Sequence, residues 1–129
     1  MFDKPGYGKD DQGGSLRIEP QYLPGDDTVV VEADGDLSGD AAEVVKRTIA
    51  DELARSPALL VVDLSGVARV DADGVDALAS SAATAGESDI SFCLVAPRGS
   101  PIRDALAAAV LLELFEIFWS VDEAVEDSR

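Results

Sequence analysis

The residues whose type and spacing could do chemistry are Asp71 and Asp73, two positions apart in the run Val70-Asp71-Ala72-Asp73-Gly74-Val75. Paired carboxylates of this kind can act as nucleophile and general acid beside magnesium in phosphoryl transfer. That chemistry wants the first Asp at the end of a buried strand, whereas the stretch before it, Val67-Ala68-Arg69-Val70, is interrupted by a charge. It also needs a later Lys and an acidic pair, yet all three lysines lie before residue 47. A calcium loop fails as well, because the twelfth position counted from Asp71 is Ala82 rather than Glu. The chain has no His, which removes Ser-His-Asp and Cys-His nucleophiles and His-ligated metals. Cys93 is alone, which excludes an internal disulfide and a Cys-rich zinc site. No cofactor or metal site is expected from these residue types.

The elements that must hold Asp71 and Asp73 follow from periodicity. Val75, Leu78, Ala79 and Ala82 keep a helical period until Gly86, so a helix begins at this acidic run. Asp71 is then its N-cap, with Val70 and Val75 in the staple positions. Upstream, Leu59-Leu60-Val61-Val62 reads as a central strand covered on both faces and ending at Asp63. Before it, Ala41, Val45, Ile49 and Leu53 lie four apart on one helical face, with Ser38 or Asp40 as the expected cap. Leu16 to Tyr22 and Thr28 to Ala33 predict two strands around the turn Pro24-Gly25-Asp26-Asp27. Asp34-Gly35-Asp36-Leu37-Ser38 is expected to break the second of these.

Downstream, Ile90 to Val95 predicts a strand in which Cys93 is a core thiol. Ser100-Pro101 opens a third helix reaching about Val110. Glu116 to Trp119 predicts a short strand with Trp119 in the core or a staple, and Ser120 with Glu123 forms a capping box for a last helix. Ser80 and Ser81 read as packing hydroxyls among alanines. The order β-β-α-β-α-β-α-β-α requires crossovers, hence one α/β domain with a mostly parallel sheet of four to five strands and about four helices. The domain is expected over residues 16–126, after a flexible tail at 1–15.

Size and charge bound what such a domain does. For 13.5 kDa the scaling laws give roughly 19,600 Å² unfolded and about 6,500 Å² folded, so a self-sufficient core is available. Against 26 Asp and Glu stand 10 Lys and Arg, a formal charge of -16, with no basic run longer than two. This argues against nucleic acid and anionic membranes as partners. The longest apolar run, Ala105 to Leu112, has eight residues, far below the ~20 of a membrane helix. With no secretory pattern at its start, the chain is expected in the cytoplasm.

The stretch Val61-Val62-Asp63-Leu64-Ser65-Gly66-Val67, followed by Asp71-Ala72-Asp73-Gly74-Val75, resembles the signature of the STAS domain of bacterial anti-sigma factor antagonists. In that family an apolar strand leads into Asp-Leu-Ser-x-Val and then Asp-Ser-Ser-Gly-Leu at the helix start. Gly35-Asp36-Leu37 and the closing Ile117-Phe118-Trp119-Ser120 with Glu123-Ala124 extend the resemblance over nearly everything after residue 15. It implies a partner switch in transcription regulation rather than an enzyme, in which the antagonist binds an anti-sigma factor with a kinase-like ATPase fold and frees the sigma factor. Phosphorylation of the second serine releases it. Asp73 stands at that phosphorylation-equivalent position and Ala72 at the first serine, so phosphoserine cannot switch this chain there.

The resemblance assigns partner binding to Asp36, Asp71, Ala72, Asp73 and Gly74. Surface acidity suits a partner with a basic docking face, and Gly74, lacking Cβ, would admit it closely. For Asp73 three roles remain open: a helix-dipole stabiliser worth about 0.3–1 kcal/mol, a permanent phosphomimic that weakens the antagonist, or a carboxylate the partner accepts. It is an imperfect mimic, since phosphoserine carries about -1.5 to -2 charge and three acceptor oxygens. Two other classes are weighed beside this. A STAS module can also serve to bind a nucleotide or other small ligand, although Asp34-Gly35-Asp36 offers carboxylates rather than a phosphate cradle. A haloacid-dehalogenase-type phosphatase is the remote one, for the reasons given above.

Overall fold

The structure is a computed structural model and describes residues 16–23, 25, 27–109, 111 and 115–128. The expected tail at 1–15, Pro24 and Asp26 of the first turn, and Val110 at the end of the third helix lie outside the described residues.

Five strands and four helices follow one another as β1 (Leu16–Leu23), β2 (Thr28–Leu37), α1 (Asp40–Leu53), β3 (Leu59–Val70), α2 (Ala72–Glu87), β4 (Ser91–Val95), α3 (Pro101–Ala108), β5 (Ile117–Phe118) and α4 (Val121–Ser128). This is the α/β order expected from the sequence. The sheet order is β1-β2-β3-β4-β5, with β1 antiparallel to β2 and every other pair parallel.

Because each strand is laid beside the previous one in a single direction, right-handed crossovers put their helices on one face. Val45, Ile49 and Leu53 of α1, Val75 and Leu78 of α2, and Ile102 and Leu106 of α3 share a core with Val31, Leu60, Val62 and Leu94 of the sheet. The opposite face carries a smaller core, in which Ala124 of α4 packs with Val30, Val61, Cys93 and Val95. Strand order never reverses, so the sheet has no switch-point crevice of the kind in which open α/β sheets bind nucleotides.

Several expectations need correcting. The segment Asp34-Gly35-Asp36 does not break β2, which continues to Leu37. Register shifts between Glu32 and Asp34 and between Gly35 and Asp36 absorb the irregularity, and Gly35 supplies the φ of 113° that a side chain would resist. With that extension to pair against, β3 runs on past Asp63 to Val70. Gly66 is its register partner to Asp34, and the Asp34 side chain occupies the space where a Cβ on Gly66 would lie.

Neither Ser38 nor Asp40 caps α1. Gly39 holds the N-cap position at φ 54° and has no side chain with which to cap the helix. Ser100 does sit at the N-cap of α3, but its hydroxyl makes no hydrogen bond. The capping box of α4 closes one residue early: Ser120 Oγ accepts the Glu123 N–H at 3.2 Å, while Glu123 Oε1 accepts from Trp119 N–H at 2.8 Å. Trp119 is not core; it is exposed beyond the two-residue edge strand, with the Arg98 guanidinium 4.6 Å from its ring centroid.

Candidate functional site

The acidic run falls where β3 ends and α2 begins, beside the start of α1. Asp71 is the N-cap of α2, with extended backbone at φ -117°. Its Oδ1 accepts the Gly74 N–H at 3.0 Å and its Oδ2 accepts the Gly39 N–H at 3.2 Å. The Asp71 N–H in turn donates to the Leu37 carbonyl at 3.3 Å. One residue thus ties together the end of β2 and the starts of two helices. Each helix start carries unpaired N–H groups and the positive end of a dipole, and a carboxylate there is favourable to both.

Gly74 is buried in the third position of α2. A Cβ on it would run into the Leu37 carbonyl and side chain and the Val70 side chain. Its missing side chain therefore makes room for Leu37 rather than for a partner, a correction to the expectation from sequence. Val70 and Val75 belong to the same apolar core.

Ala72 and Asp73 occupy the first two positions of α2 and are exposed. From there Asp73 faces a shallow groove between α1 and α2, about 330 Å³, with Asp40, Glu43 and Lys46 on one wall and Asp76 and Ser80 on its own. Four carboxylates thus share the groove with one lysine, whose Nζ lies 4.0 Å from Glu43 Oε2. A surface pair of that length contributes little. Asp36 lies outside the groove, on β2, where its register partner is Arg69 of β3.

Sequence reasoning missed Gly39. Its signal was a glycine directly before a helix, where it takes a φ of 54° that a side chain would resist. Ser81 is buried and its hydroxyl donates to the Ala77 carbonyl at 2.8 Å, so it packs as expected, whereas Ser80 is exposed on the groove.

Since β3 reaches Val70, Asp71 does stand at a strand end, contrary to the sequence reading. Its two oxygens are nonetheless engaged by backbone N–H groups, and no group of three or more metal-ligating side chains exists among the described residues. No described helix is long and apolar enough to cross a membrane.

A family model described as the STAS domain matches residues 20–124. Among solved structures, an anti-sigma factor antagonist from Mycobacterium paratuberculosis superposes with a TM-score of 0.82 at 25% identity, covering 92% of this chain and 97% of that one. A Thermotoga maritima protein provisionally assigned to the same role gives 0.76 at 23% identity, over 87% of this chain and 94% of that one. The anti-sigma factor antagonist SpoIIAA in its unphosphorylated form gives 0.70 at 15% identity, over 86% and 95%. No curated protein matches the sequence.

Proposed function

The chain belongs to the STAS domain family, and on that premise we propose that it is an anti-sigma factor antagonist acting by contact rather than catalysis. Its partner is an anti-sigma factor of kinase-like ATPase fold, and its contact surface is the exposed start of α2, Ala72 and Asp73 with the rim of Asp71, beside the α1 groove. Asp36, on β2 opposite Arg69, is included in that surface on the family resemblance alone. Gly74 acts from beneath, letting Leu37 hold the helix start in place.

The observation that carries this reading is the pair of hydrogen bonds that the Asp71 carboxylate accepts from the Gly39 and Gly74 N–H groups. It fixes the acidic turn rigidly against two helix starts while leaving Asp73 free at the surface, which is how a pre-organised contact group is built. The 25% identity over nearly the full length of a mycobacterial antagonist supports the same role.

Asp73 lies among Asp40, Glu43 and Asp76, a surface suited to a basic docking face. A permanent carboxylate at 73 is continuous with it. We therefore read the contact as constitutive, made with the charge present and beyond the reach of phosphoserine control at that position. Affinity capture from host lysate on the immobilised protein tests this: an anti-sigma factor with a kinase-like ATPase domain should be retained, and its absence from the captured proteins overturns the reading.

A further inference from the structure

At the other end of α1 lies a second feature that partner contact leaves unused. Glu52, in the last turn of α1, is only 6% exposed. Its Oε2 accepts the Tyr22 hydroxyl of β1 at 2.9 Å. Its Oε1 accepts no hydrogen bond, although it is buried. The Arg55 guanidinium approaches no closer than 3.9 Å through Nε, beyond hydrogen-bond reach. That guanidinium is instead drawn over the Tyr22 ring, 5.2 Å from its centroid, on a side chain two-thirds exposed.

These groups line a cavity of about 220 Å³, smaller than the ~300–1,000 Å³ of drug-sized ligand sites. Leu23, Val29 and Pro57 supply apolar walls, and Asp27 adds a second carboxylate to the lining. A buried carboxylate oxygen with an unmet bond is costly to keep. Its complement is a donor carrying positive charge. The half-exposed Tyr22 ring offers a second attraction for the same charge.

We propose that this cavity is a binding site for a small organic ammonium, a primary amine on a short apolar chain. The ammonium donates to Glu52 Oε1 beside the Tyr22 ring, and the chain lies against Leu23 and Pro57. Arg55 is the competing cation, which the ligand displaces outward. The site is independent of the acidic turn, since the whole of α1 separates them.

The probe is n-butylammonium, titrated at constant ionic strength while amide shifts are followed by NMR, with n-butanol and butyrate as controls. Shifts should concentrate at Leu23, Val29, Glu52 and Arg55, with a dissociation constant of about 1 mM. Glu52→Gln, which still accepts from Tyr22, should weaken binding about tenfold. Arg55→Ala should tighten it by removing the competitor. The proposal is overturned if n-butanol binds as well as the ammonium does. Shifts scattered over the acidic surface and unchanged in Glu52→Gln overturn it too, as does an absence of shifts in both wild type and Arg55→Ala.

Discussion

The carboxylate of Asp71 accepts the backbone N–H of Gly39 across 32 positions of sequence, at 3.2 Å. With the same group it accepts from Gly74 at 3.0 Å, so a single side chain joins the starts of α1 and α2. Removing both bonds in Asp71→Ala should cost about 1–2 kcal/mol of stability. Asp71→Asn keeps one carbonyl oxygen and turns the other acceptor into a donor, so it should fall between Ala and wild type. Denaturant unfolding of the three proteins checks the order.

Gly74 and Gly86 lie on the same helix and predict opposite outcomes. Gly74→Ala drives a Cβ into the Leu37 carbonyl and the Val70 side chain, and should destabilise by about 1–3 kcal/mol. Gly86→Ala meets nothing within 4 Å. It should stabilise by about 0.5 kcal/mol through the unfolded chain, as thermal melts of both variants would register.

Glu19, Glu32 and Asp63 are register partners across β1, β2 and β3, so three carboxylates stand side by side. Partial burial, and then the charges of Asp63, Asp34 and Glu19, hold the Glu32 carboxyl above its ordinary value of 4.5. A carboxyl raised on folding binds its proton more tightly in the folded state. Its contribution to stability is complete below the ordinary value and is lost as pH rises through the folded one. Glu32→Gln should therefore melt higher than wild type at neutral pH, with the difference closing once the pH falls below 4.5. Melts over a pH series give the curve, and a constant difference would contradict it.

Cys93 lies in the smaller core beneath α4. Burial first, and then the charges of Glu116 and Asp127, push its thiol up to about 12. Almost no thiolate exists at neutral pH, and the thiolate is the reactive form. Iodoacetamide should leave the native protein unmodified and label it quickly in denaturant, which mass spectrometry would show.

Much of this was readable in advance, and the failures share a cause. The helical spacing of Val45, Ile49 and Leu53, and the apolar run Leu59 to Val62, placed α1 and the centre of β3 directly, because burial there is set by local period. The length of β3 was not readable. Asp63, Ser65, Gly66 and Arg69 have the composition of a loop, and only pairing with a bulged β2 holds them extended. Trp119 misled through its size, since a two-residue edge strand leaves no core for it to enter. Asp71 was legible as a cap for its own helix. Its second bond, to Gly39, arises from tertiary placement and left no mark in local sequence.

The decisive measurement is the affinity of the purified anti-sigma factor for wild type, Asp73→Ser and Asp73→Lys, by isothermal titration. Wild type should bind, and reversing the charge in Asp73→Lys should weaken the complex at least about tenfold. If wild type fails to bind while Asp73→Ser succeeds, Asp73 is a built-in off state and constitutive antagonism is contradicted.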